Sequence, residues 1–132
     1  MNQINHSITL AFLMVITLPA WSDEPVRMGS GDMTFDTVPG WGLRADGSSP
    51  LGSTHGGVVV DKEGNIYTSA KDGVFVFSPQ GTVVHTYLGK EYSNLHDIEI
   101  REEGGEEFIY GARNKDAEGI KFRVRGGDIV LN

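Results

Sequence analysis

A segment near the middle of the chain recurs about 40 residues further on, and this repeat restricts the fold more than any other feature. The first copy starts at His55-Gly-Gly-Val-Val-Val and the second at His96-Asp-Ile-Glu-Ile. Tyr67 in the first copy has its counterpart at Tyr110 in the second. A period of this length with four strands in each repeat is that of a β-propeller blade. The sequence therefore predicts an all-β chain, a β-propeller of four-stranded antiparallel blades with about two blades present. A plain antiparallel meander is the alternative.

The individual strands are predicted from β-branched runs and from the alternation of apolar and polar residues. They are expected at 33–38, 58–60, 66–70, 74–77, 82–88, 96–100, 108–112, 119–124 and 126–131. The three consecutive valines at 58–60 are typical of a strand that is buried on both faces. Asp61, Gly64 and Asn65 follow them with the residue types of a tight turn. Four aromatic residues are expected to pack between sheets: Trp41, Phe75, Phe77 and Phe122.

Charge and the first residues of the chain bear on partners and location. The chain has 11 Lys and Arg against 18 Asp and Glu, a formal net charge of −7. We expect no nucleic-acid partner, because phosphate binding depends on clustered Lys and Arg. Residues 1–22 contain an apolar stretch followed by small residues, which indicates a cleavable signal peptide, and 23–32 are expected to be a flexible lead-in. We therefore expect a secreted or periplasmic protein that is not held in a membrane after signal cleavage. The absence of cysteine excludes disulfides.

The first repeat has a recognisable pattern. Gly57-Val-Val-Val-Asp-Lys-Glu-Gly-Asn-Ile-Tyr, followed by Gly73-Val-Phe-Val-Phe-Ser-Pro-Gln-Gly, resembles an NHL-type repeat. The resemblance covers the blade at 55–89 well and the incomplete blade at 94–132 more loosely. It implies a six-bladed propeller in which the first strand of each blade lines a central channel. Within the partial propeller of 33–132, residues 33–42 would then be the outer strand that closes the ring. Six blades need roughly 250 residues, so we expect a fragment of a longer ring, with assembly of several short chains as the alternative.

The two histidines of the repeat are the candidate site. In a propeller, His55 and His96 would meet at one end of the channel, and a catalytic zinc usually has three protein ligands. Thr54-His55-Gly56 and Leu95-His96-Asp97-Ile98 resemble the histidine-bearing strand starts of the peptidyl-amidoglycolate lyase propellers. That resemblance implies His55 and His96 as zinc ligands and a polar catalytic group such as Arg113. Asp97 would orient a histidine as a neighbouring partner, or cap a turn. The alternative is that both histidines bond to backbone and bind nothing.

Three function classes follow from these features. The leading prediction is an exported propeller that binds a small molecule or peptide at its channel mouth. The alternatives are a zinc-dependent lyase or lactonase-like hydrolase that uses the channel histidines, and a structural scaffold for a protein partner. Zinc and calcium are the cofactor candidates, and the sequence leaves enzymatic activity undecided. Four glutamates flank Gly104-Gly105, where a solvated hairpin tip is expected rather than a calcium site: Glu102, Glu103, Glu106 and Glu107.

Overall fold

The computed structural model describes residues 24–54 and 56–131, so the predicted signal peptide at 1–22 lies outside the described residues. A hairpin comes first, formed by β1 (Arg27–Ser30) and β2 (Met33–Asp36). Sheet 1 follows, with strands β3 (Val58–Val60), β4 (Ile66–Ala70), β5 (Gly73–Phe77) and β6 (Val83–Leu88). After a short 3-10 helix, η1 (Lys90–Tyr92), the chain forms sheet 2. Its strands are β7 (Asp97–Glu103), β8 (Glu106–Arg113), β9 (Glu118–Arg123) and β10 (Ile129–Leu131).

The all-β fold and the nine predicted strands are confirmed. Within each four-stranded sheet every strand pairs antiparallel with the next in sequence, so sheets 1 and 2 have the same connectivity. They correspond to the two copies of the sequence repeat. Over residues 24–54 and 56–131 no α-helix occurs, and the sheets do not close into a ring.

The core lies between the two sheets. One face of each contributes, because the register places alternate residues on the same side. Tyr87 on β6 joins the two sheets, since its ring is 5.3 Å from that of Phe122 and its hydroxyl donates to the Val124 carbonyl at 2.5 Å. Burial of each large apolar side chain contributes about 1.5–3 kcal/mol. The buried members are Tyr67, Val74, Val76, Tyr87, Leu95, Ile98, Ile109, Ile120, Phe122 and Val124.

The prediction that β3 is buried on both faces is wrong. Val59 packs against the core, but Val58 is 63% exposed and Val60 is 53% exposed. The reason is that β3 is an edge strand whose second face is not covered by another layer. On that same outer face Trp41 packs against Phe77, with ring centroids 5.3 Å apart. Trp41 therefore covers the outside of sheet 1, whereas Phe122 lies between the sheets as predicted.

The N-terminal hairpin also differs from the expected picture. The segment expected to be a flexible lead-in contains β1, and β2 pairs with β1 rather than with another sheet. The register places Met28 opposite Phe35 on one face, while Arg27 pairs with Asp36 on the other. All eight strand residues are exposed. The ring-closing role of residues 33–42 stays a prediction.

Candidate functional site

The first strands of the two sheets, β3 and β7, lie in contact with each other. Two glycines allow this close approach. A Cβ atom on Gly56 would collide with the hydroxyl of Ser69, which is fully buried and donates to the Leu95 carbonyl at 2.9 Å. A Cβ atom on Gly57 would collide with the Asp97 carboxylate. The residues that flank the two predicted histidine positions are therefore packed together.

The structure describes only one of the two predicted histidines. His55 lies outside the described residues. His96 is exposed, and its backbone N–H donates to the Ala112 carbonyl at 2.7 Å, which fixes the start of β7 against the end of β8. Asp97 accepts the backbone N–H of Ile98 at 2.9 Å, so it bonds locally to the start of its own strand. Among the residues that the structure describes, no three His, Asp or Glu side chains are grouped to hold a metal ion.

Arg113, the candidate catalytic residue, is buried at the same end of sheet 2. Its guanidinium donates to the Glu118 carboxylate at 2.6 Å and to the Glu91 carbonyl at 2.5 Å. The Nε atom has no hydrogen-bond partner among the described residues and lies 3.8 Å from the Asp116 carboxylate. Glu91 belongs to η1, which leads into His96. In the structure Arg113 therefore anchors η1, the segment that leads into His96. Its catalytic role stays a prediction.

An open depression of about 280 Å³ adjoins this end of the molecule on the outer face of sheet 2. Asp97, Tyr110, Ala112 and Leu131 are among the residues that line it. A second cleft of about 320 Å³ lies at the opposite end, between the turn after β3 and the tip of the β7–β8 hairpin. Only the first of these clefts is next to the predicted histidine region.

The turn after β3 confirms the predicted role of Asp61, Gly64 and Asn65. One carboxylate oxygen of Asp61 accepts the backbone N–H groups of Glu63 and Asn65 at 2.9 and 2.8 Å. The other accepts the Asn65 amide at 2.8 Å and the buried Tyr67 hydroxyl at 2.9 Å. Burial alone would raise the pKa of Asp61, but these four hydrogen bonds outweigh it and lower the pKa below its ordinary value. Burial and the neighbouring Asp61 raise the pKa of Tyr67.

The glutamates at the tip of the β7–β8 hairpin have basic partners. Lys62 pairs with Glu102 at 2.6 Å, so a contact from the turn of sheet 1 reaches across to sheet 2. Glu107 accepts the backbone N–H of the same lysine at 3.1 Å. The remaining pairs are Lys121 with Glu103 at 2.6 Å and Arg123 with Glu106 at 3.2 Å. The four glutamates of the hairpin tip therefore form contacts between strands and between the two sheets.

The sequence did not reveal why Gly56 and Gly57 are needed or that Ser69 bridges the sheets. The signal was present in the Gly-Gly pair directly after His55, because glycine in a strand often marks close approach of another backbone. No helix among residues 24–54 and 56–131 is long and apolar enough to cross a membrane. Comparison with known proteins found no matching family model, no matching curated protein and no matching solved structure.

Proposed function

We propose that sheets 1 and 2 are two blades of an exported NHL-type propeller that binds a small molecule or peptide at the end where β3 and β7 begin. The observation that carries this proposal is the contact between these two first strands, with Gly56 packed beside Leu95 and Gly57 beside Asp97. In a propeller the first strands surround the channel, so this end is its mouth.

A zinc-dependent lyase or hydrolase is the second candidate, and the same contact favours it. Gly56 follows His55 directly, and Leu95 precedes His96 directly, so the chain segments that carry both histidines meet. A catalytic zinc needs three protein ligands, and the described residues near His96 supply no such group. This candidate therefore needs a third ligand from elsewhere in the ring. A scaffold for a protein partner is the third class, in which the channel mouth has no small ligand.

Two titrations separate these classes. Backbone amide shifts are recorded by NMR while a panel of short peptides is added. The binding proposal expects concentration-dependent shifts at Gly56, Gly57, Leu95 and His96. Shifts confined to other parts of the molecule would contradict it. In parallel, Zn²⁺ alone is titrated by calorimetry into the wild-type chain and the His55→Ala/His96→Ala variant.

A matched control is available because His85 is also exposed but lies on β6. The zinc candidate expects binding with at least a tenfold loss of affinity in His55→Ala/His96→Ala and none in His85→Ala. Equal binding by all three proteins would assign the metal to a surface site and remove the zinc candidate. Peptide binding without zinc binding supports the leading proposal.

A further inference from the structure

Strand β6 forms one edge of sheet 1, and within the described residues it pairs only with β5. An edge strand exposes unpaired backbone N–H and C=O groups that can bond to another strand. The β6 residues Val83, Val84 and Leu88 are 37, 53 and 57% exposed, and His85 is exposed as well. A bulge at Val84 interrupts its ladder with β5, and residues 85–88 beyond the bulge are long enough to pair with a second strand.

The other long edge of the two sheets carries charged side chains that β6 lacks, although β6 has a bulge at Val84. Strand β7 has the sequence Asp-Ile-Glu-Ile-Arg-Glu-Glu, and charges of this density oppose pairing with another edge. The edge strands β3 and β10 have only three residues each. By contrast, β6 reads Val-Val-His-Thr-Tyr-Leu, which contains no Asp, Glu, Lys, Arg, Gly or Pro. β-branched and aromatic residues of this kind favour strand pairing.

Charge indicates which partner fits this edge. The chain has a net charge of −7, so two copies repel each other over most of their surface. No Asp, Glu, Lys or Arg occurs between Asp72 and Lys90, and β6 is the exposed edge of this uncharged stretch. Two copies therefore meet with least repulsion at β6. An antiparallel pair about a twofold axis also uses the same strand on both sides, as a closed dimer requires.

We propose that β6 pairs with β6 of a second copy of the chain and joins two copies of sheet 1 into one eight-stranded antiparallel sheet. Val83 and Leu88 lie on the same outer face as Val58 and Val60, so pairing brings two exposed apolar faces side by side. This proposal is independent of ligand binding at the channel mouth, because β6 is the last strand of its sheet whereas β3 is the first.

Sedimentation equilibrium of the full chain tests the proposal, with the variant Val84→Lys and the control Val38→Lys. Both valines are exposed, but Val84 lies on β6 and Val38 follows β2 outside any strand. We expect a dimer in the wild type, at least a tenfold weaker association in Val84→Lys, and no change in Val38→Lys. Far-UV circular dichroism confirms that both variants keep the strand content. A monomer at concentrations up to about 1 mM overturns the proposal.

Cysteine cross-linking identifies the surface directly, because the sequence contains no cysteine. Opposed residues of antiparallel strands have Cα atoms about 4.5–5.5 Å apart, within the range for a disulfide. Single variants at 84, 85 and 86 are oxidised, with Val130→Cys on the β10 edge as the control. A covalent dimer at one or more β6 positions and none at position 130 supports the proposal. A dimer that persists in Val84→Lys and is lost in Phe35→Lys assigns assembly to the N-terminal hairpin and overturns it.

Discussion

Asp61 organises the first turn of sheet 1, and its removal is the sharpest test of how this repeat is stabilised. The carboxylate is 8% exposed and accepts four hydrogen bonds from three residues. In Asp61→Ala the amides of Glu63 and Asn65 lie near the surface and regain water. The hydroxyl of Tyr67 does not, because this residue is only 3% exposed and belongs to the core.

The expected loss in the free energy of unfolding follows from these hydrogen-bond donors. A hydrogen bond to a charged group contributes about 1.5–3 kcal/mol, and an unsatisfied buried donor costs about 1–3 kcal/mol. Since the two surface amides are compensated by water, we expect Asp61→Ala to lower the free energy of unfolding by about 3 kcal/mol. That loss is a large part of the 5–15 kcal/mol typical of a folded domain. Tyr67→Phe removes one of the four bonds and leaves the carboxylate with three donors, so we expect a loss of about 1.5 kcal/mol, the lower end of that range.

Urea denaturation followed by circular dichroism measures both variants, provided that the m value is unchanged. Asp72→Ala is the matched control, because Asp72 is an exposed aspartate in the next turn of the same sheet, between β4 and β5. Its substitution should change stability by no more than about 0.5 kcal/mol. If Asp61→Ala costs no more than Asp72→Ala, the hydrogen bonds of Asp61 do not stabilise the turn, and the reasoning from its geometry is wrong.

Four further predictions test neighbouring parts of the structure. Because the folded-state pKa of Asp61 is lowered, its stabilisation is present above its ordinary pKa of about 3.9 and is lost as the pH falls through the folded pKa. Acid titration of stability should therefore be flatter below about pH 4 in Asp61→Ala than in the wild type. Tyr87→Phe removes the bond to the Val124 carbonyl and should cost about 1 kcal/mol in urea denaturation. Gly57→Ala should separate β3 from β7 and lower the thermal midpoint by several degrees, whereas Gly119→Ala, at an exposed strand position with open space around it, should have a smaller effect. Arg113→Met leaves the Glu91 carbonyl without its donor and should accelerate hydrogen exchange at the His96 amide. Arg113→Lys should restore protection only in part, because lysine lacks the planar guanidinium that binds two groups at once.

Local chemistry made much of this fold predictable. Strand positions follow from runs of β-branched and alternating residues, and Asp61, Gly64 and Asn65 specify a turn in which the hydrogen bonds of the Asp61 carboxylate all lie within seven residues. The repeat then predicts that two four-stranded units share one connectivity. Each of these inferences depends on neighbours in the sequence, and the structure confirms each.

The features that the sequence did not predict depend on contacts between residues that are distant in the chain. The run at 58–60 predicts a strand, but its burial depends on whether another layer covers it, and only the face of Val59 is covered. The need for Gly57 arises from the Asp97 carboxylate and the Ile98 backbone, which are distant in sequence. Likewise, the glutamates of the hairpin tip are explained by Lys62, Lys121 and Arg123, and the last two reach them only through strand register.

The outer faces of the two sheets differ in a way that restricts any larger ring. On sheet 1 the face bears Val58, Val60 and Phe77. On sheet 2 it bears ion pairs and stacked cations. Arg101 pairs with Glu99 at 2.9 Å, and the ammonium of Lys121 lies 4.3 Å from the ring centre of Phe108.

Stacking several copies head to tail would place the apolar face of sheet 1 on the charged face of sheet 2. Burying those charges without new partners costs several kcal/mol per ion, which the valines of sheet 1 cannot offset by pairing. A ring built only from copies of this chain is therefore disfavoured. A propeller that contains these sheets needs a polar neighbour against sheet 2 and an apolar neighbour against sheet 1. Pairing through β6 avoids the mismatch, because it joins like faces edge to edge and leaves the charged face of sheet 2 in water.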